Sequence, residues 1–119
     1  PLWAVIQQHP SAAVFPDGEG LAEMSARVIA AVRAWNAELG PDATYALVSH
    51  GDAVKAILAD ALGLHLDGFQ RIAVDPCSLS VVRYGRLGSP VERVNDRAGD
   101  VAGLVPPRRR PARRPARAQ

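Results

Sequence analysis

Ala43-Thr44-Tyr45-Ala46-Leu47-Val48-Ser49-His50-Gly51-Asp52-Ala53-Val54-Lys55-Ala56-Ile57-Leu58-Ala59-Asp60-Ala61-Leu62-Gly63 decides the fold. Thr44–Val48 is short, apolar and β-prone, which predicts a buried strand. Ser49-His50-Gly51-Asp52 ends that run abruptly. Helical spacing follows from Asp52 to Leu62, with Val54, Ile57, Leu58, Ala61 and Leu62 inward and Gly63 as the stop. A strand thus delivers a histidine to the mouth of a helix.

Upstream, Leu2, Trp3, Val5 and Ile6 in Pro1–Gln8 read as the end of a helix, stopped by His9-Pro10-Ser11. Pro16-Asp17-Gly18-Glu19-Gly20 is turn chemistry. Leu21, Met24, Val28, Val32, Trp35 and Leu39 then recur at helical steps, and Gly40-Pro41 closes that helix. Glu23 and Arg27 stand four apart, a spacing worth a few tenths of a kcal/mol as an ion pair. Downstream, His65–Gln70 predicts a brief helical turn that carries Leu66 and Phe69 inward. Leu79–Tyr84 and Val91–Asn95 read as strands, joined across Gly85–Pro90 as a hairpin. Helices alternating with strands give an α/β class, and the terminal hairpin implies a mixed sheet. Trp3 and Trp35 are expected to pack, and Cys77 to be buried.

Charge divides the chain. Residues 1–105 hold eight basic and all twelve acidic side chains, a net −4, whereas 106–119 hold six arginines and no acid. This Pro-, Arg- and Ala-rich tail cannot build a core and is expected to be disordered. Two domains of description follow: 1–105 as a folded unit and 106–119 as a basic arm. Arg108–Arg117 could bind nucleic acid or another polyanion by charge, though no aromatics are interleaved for base stacking. One cysteine allows no internal disulfide, which suits a reducing, cytoplasmic setting. No apolar run approaches the roughly 18 residues of a membrane span. The start, Pro1-Leu2-Trp3, has neither an initiator Met nor the marks of a signal peptide, and is expected to be cut from something longer.

A strand-to-helix junction gathers free N–H groups and the positive end of the helix dipole. That favours an anion beside His50, and Gly51 permits close approach. The alternative is a histidine that caps a helix without a ligand. Ser49 lacks the G-x-S-x-G surroundings of an acyl-transfer nucleophile. The three histidines, at 9, 50 and 65, are too scattered for a binuclear metal centre. Neither a P-loop nor a G-x-G-x-x-G is present.

Leu47-Val48-Ser49-His50-Gly51-Asp52 resembles the second histidine motif of the histidine phosphatase superfamily, the phosphoglycerate mutase-like proteins. Phe15-Pro16-Asp17-Gly18-Glu19-Gly20-Leu21 is similar to that family's Pro-Gly-Gly-Glu-Ser-Leu segment. Leu66–Ile72, Asp75–Tyr84 and Asn95-Asp96 look like the phosphomutase-like branch found in actinobacteria. The resemblance runs from Pro1 to about Pro107. It implies a three-layer α/β/α fold with a mixed, mostly parallel sheet. It also implies phosphoryl transfer through a phosphohistidine, by a phosphatase or phosphomutase acting on a small phosphorylated substrate. No metal or other cofactor is implied. Such chemistry rests on positioning and charge neutralisation.

By the same resemblance, His50 is the catalytic second histidine, binding the phosphoryl group together with the Gly51 amide. Glu19 and Ser49 fall at the site rim. Glu19 has the simpler alternative of a helix-start acid, and Gly20 replaces the family's serine. The nucleophile's Arg-His-Gly motif occurs nowhere in these 119 residues. His9, between Gln8 and Pro10, and His65, between Leu64 and Leu66, are expected at the surface. Arg71 and Arg83 are expected in surface ion pairs. The chain is therefore expected to be the C-terminal part of the domain, inactive alone and marginal, oligomeric or aggregation-prone in solution.

Overall fold

The computed structural model describes residues 2–97; the 106–119 arm and the domain end placed at 105 lie outside them. In chain order come α1 (Leu2–Gln8), a 3-10 turn (Pro10–Ala12), α2 (Leu21–Leu39), α3 (Gly51–Leu62), a second 3-10 turn (Leu66–Arg71), β1 (Leu79–Val82) and β2 (Val91–Asp96).

Each helix boundary has a local cause. Proline at position 10 ends α1 and opens the first 3-10 turn. Gly20 caps α2 without a side chain, so only the return half of a capping box forms: the Gly20 N–H donates to Glu23 Oε2 at 3.2 Å. At the far end of α3, Gly63 adopts φ +65°, and the Leu64 N–H reaches back to the Ala59 carbonyl at 2.8 Å. A side chain would strain that left-handed position.

The core is small. Ile6, Ala13, Leu21, Leu58, Ala59, Phe69 and Ile72 form one cluster, with Phe69 fully buried. Ala53, Ala56, Ile57, Leu58 and Ala59 make the buried face of α3. Three alanines there let neighbouring elements approach closely. The second 3-10 turn carries Phe69 inward and Leu66 to its edge, as its pattern predicts. Asp67 in that turn accepts the Ser11 N–H at 2.8 Å, pinning the two 3-10 turns together. This backbone hydrogen bond holds its carboxyl below the ordinary aspartate value.

The hairpin is antiparallel, pairing Leu79 with Asp96, Val81 with Arg93 and Val82 with Val91, with irregular register between them. Arg83 Nε meets Glu92 Oε1 at 2.7 Å across the two strands, the ion pair expected of it. Among the described residues this is the sheet: two strands, with no parallel pair.

Several expectations are corrected. Thr44–Val48 is neither buried nor a strand: Val48 is 94% exposed and no ladder forms. β-propensity marks a segment fit for pairing, but pairing needs a neighbour, and among the described residues β1 and β2 pair with each other. Leu62, at the last turn of α3, extends past its cover and is exposed. Trp3 (70% exposed) and Trp35 are not packed inside, because α1 is short and the outer turns of α2 meet little that is apolar. Arg27 pairs with Glu19, not Glu23, since Glu23 is occupied at the cap.

Cys77 is exposed, not buried. Asp75-Pro76-Cys77-Ser78 is a β-turn closed by Ser78 N–H to the Asp75 carbonyl at 3.2 Å. Proline at its second position and φ +61° at Cys77 define type II geometry. Glycine suits that third position better. Cys77→Gly is expected to raise stability by about 0.5 kcal/mol: left-handed strain of roughly 1–2 kcal/mol is relieved, less the added freedom of the unfolded chain. A higher urea midpoint at unchanged slope is the expected result.

Candidate functional site

His50 is the N-cap of α3, extended at φ −88° and ψ 160°. Its carbonyl accepts the Val54 N–H at 3.0 Å, and its imidazole makes no capping hydrogen bond. The ring is exposed. The N–H groups of Gly51, Asp52 and Ala53 find no acceptor among the described residues. These are the orphan donors of a helix start, aimed outward beside an imidazole.

Gly51 is informative because nothing in the fold asks for glycine there. Its φ is not positive. A Cβ built on it would meet only the Val74 carbonyl oxygen, at 3.9 Å, an ordinary contact. Ser49, just before, is exposed, and its hydroxyl makes no hydrogen bond among the described residues.

Lys55 escapes a sequence reading aimed at histidines. It lies one turn beyond Gly51, with its side chain only 18% exposed. Nζ donates to Gln70 Oε1 at 2.9 Å, stands 3.8 Å from Asp52 Oδ1 and lies over the Phe69 ring at 5.8 Å. It locks the first turns of α3 onto the second 3-10 turn and offsets the Asp52 charge. The available signal is its singularity, one lysine among thirteen arginines.

Ser49, His50 and Gly51 are contiguous, but Glu19 belongs to another setting. Its two carboxylate oxygens accept Arg27 Nε and Nη2 at 2.8 and 2.7 Å. The arginine hydrogen bond holds the Glu19 carboxyl below its ordinary range, and Arg27 is pushed up in turn. No hydrogen bond joins Glu19 to His50. His9 and His65 are both on the surface, where His65 Nδ1 accepts the Asp67 N–H at 3.2 Å. Arg71 is exposed, and the surface ion pair expected of it does not form among the described residues. Among the described residues no group of three His, Cys, Asp or Glu side chains is placed to hold a metal, and no helix is long and apolar enough to cross a membrane.

A family model described as the histidine phosphatase superfamily (branch 1) matches residues 1–97. The chain belongs to that superfamily, whose class is α/β and whose general chemistry is phosphoryl transfer. No curated protein matches the chain in sequence.

The Glu19–Arg27 pair gives a test of the local electrostatics. A carboxyl lowered by folding stabilises the folded state above its ordinary pKa of 4.5, and that contribution is lost as pH falls through the lower folded value. Arg27→Gln is expected to return the Glu19 titration upward and to remove this part of the acid dependence. Carboxyl-carbon NMR against pH checks it.

Proposed function

We propose that His50 and the Gly51 amide hold the phosphoryl group of a small phosphorylated substrate, in a domain that transfers phosphoryl groups through a phosphohistidine. The observation that carries this reading is the open helix mouth. Three amides are unfilled among the described residues, the imidazole makes no cap, and a glycine stands where fold and packing require none. A phosphoryl oxygen would accept from the amides and the imidazole together, and the helix dipole favours its charge. Ser49 stands at the rim of this site. Glu19, turned to Arg27, serves the α2 start more directly than the reacting group.

The same proposal includes a three-layer α/β/α arrangement around a mixed sheet, with β1 and β2 as its antiparallel part. It places the reaction in the cytoplasm, in accord with one free cysteine. Mutase and phosphatase action share the His50 step and differ in whether the product is held or released. These 119 residues contain no Arg-His-Gly, so they supply a binding element and not a nucleophile.

Titration with inorganic phosphate, followed by the Gly51 amide resonance, tests the reading. Saturable shifts are expected, with affinity at least tenfold weaker in His50→Ala, as loss of a charged hydrogen bond of about 1.5–3 kcal/mol requires. His65→Asn should bind as the parent does. No turnover of p-nitrophenyl phosphate is expected. A silent Gly51 amide, or steady hydrolysis by the chain alone, would sink the proposal.

The charge division favours a second, compatible role for Arg108–Arg117 in holding a polyanion. Binding to single-stranded DNA should weaken with salt at a log–log slope of about −4 for six phosphate contacts. Deletion of 106–119 should abolish it, as a filter-binding series over salt would show.

A further inference from the structure

We propose that Asn95 is a positioning residue for the phosphate site, gripping Asp75 so that the 74–77 turn stays set against the first residue of α3. The inference rests on the His50–Gly51 reading and adds to it a residue from the far end of the chain's hairpin. Apart from α3 and the residues flanking Gly51, the atom nearest to a Cβ built at Gly51 is the Val74 carbonyl oxygen, at 3.9 Å. Whatever fixes this carbonyl therefore fixes one wall beside Gly51. Val74 is half-buried and packs against the core, but Asp75, Pro76 and Cys77 after it are exposed. Their anchor comes from β2. The Asp75 N–H donates to Asn95 Oδ1 at 2.7 Å, and Asn95 Nδ2 donates back to Asp75 Oδ2 at 2.9 Å. Arg97 Nη1 stands 3.7 Å from the same carboxylate oxygen.

The backbone at Asn95 is built for this grip. Between the Leu79–Asp96 and Val81–Arg93 pairs, β2 has two residues, Val94 and Asn95, where β1 has one, Ser80. Such a bulge re-aims a side chain away from the ladder. Asn95 takes the left-handed conformation, at φ 57°, which asparagine tolerates better than most residues. Its own N–H donates to the Ser80 hydroxyl at 3.1 Å, tying the turned residue to β1. Cys77 and Asn95, two of the three non-glycine residues with positive φ among the described residues, thus stand on the two sides of one contact. Strain of this kind persists where the surroundings over-determine it, and it gathers at functional sites. The link to phosphate is electrostatic. A carbonyl oxygen carries partial negative charge, so one drawn closer to Gly51 repels a phosphoryl oxygen held at the amide. One let go admits water to compete for that amide. A wall already fixed costs the bound phosphate no reorganisation.

Titration of the full chain with inorganic phosphate, followed at the Gly51 amide, tests the grip. Asn95→Asp keeps a residue at home in the left-handed region but sets a carboxylate against Asp75. Phosphate affinity is expected to fall roughly two- to tenfold, the worth of about one hydrogen bond. Adding Asp75→Asn restores an amide opposite a carboxylate with the roles exchanged, and should restore the affinity. Asn95→Gly keeps the backbone angle without the grip or the added charge, and should bind as weakly as Asn95→Asp. Ile6→Val, which loosens the core, should bind phosphate as the parent does, so positioning is separated from a general loss of stability. Unchanged binding in Asn95→Asp and Asn95→Gly, no rescue in the double variant, or equal weakening in Ile6→Val overturns the role of Asn95 and leaves the His50–Gly51 reading standing. A parent chain whose Gly51 amide ignores phosphate overturns both.

Discussion

The burial of Phe69 and Leu58 in one cluster is the contact on which the rest depends. Leu58 belongs to α3 and Phe69 to the 3-10 turn that follows it, and both are almost wholly removed from water. Burial of each side chain contributes roughly 1.5–3 kcal/mol. Ile6, Ala13 and Leu21 join from the N-terminal elements, so the same cluster orients α3 against what precedes it. The direction in which α3 presents His50 is thereby set from behind, by apolar contacts with no chemistry of their own. Lys55 completes the attachment, with its ammonium over the Phe69 ring and its donor on Gln70.

The helices were legible because their signals are local. Glycine at 40 and 63, proline at 10 and the three-to-four spacing of apolar residues each act within a turn or two, and the structure places the boundaries of α2 and α3 within a residue of the expected ones. The hairpin was legible for the same reason, with its turn and both strands adjacent in sequence. Thr44–Val48 was not. Its composition states a preference for pairing, but whether a strand forms depends on a neighbour that local sequence does not supply. Trp35, Leu39 and Leu62 misled in a similar way: the stripe on a helix shows which face is apolar, and the neighbours decide how far along it is covered.

The site divides along the same line. His50 and Gly51 at a helix mouth followed from the abrupt end of an apolar run, and the geometry places them there. Glu19 was less legible, because charge partners are chosen by side-chain reach. Sequence spacing proposed Glu23 for Arg27, but the need to fill the Gly20 amide drew Glu23 to the cap and left Arg27 to Glu19. Local backbone demands thus settled the pairing of two exposed charges.

The one lysine has a practical consequence. A protease that cuts only after lysine has a single bond to cleave in this chain, inside α3 and beside a side chain packed on the core. Cleavage there requires local extension of the backbone, so the helix must open first. The rate of that one cut would therefore report the opening of the segment that presents His50, with no label added, and the two products would be easily separated by mass.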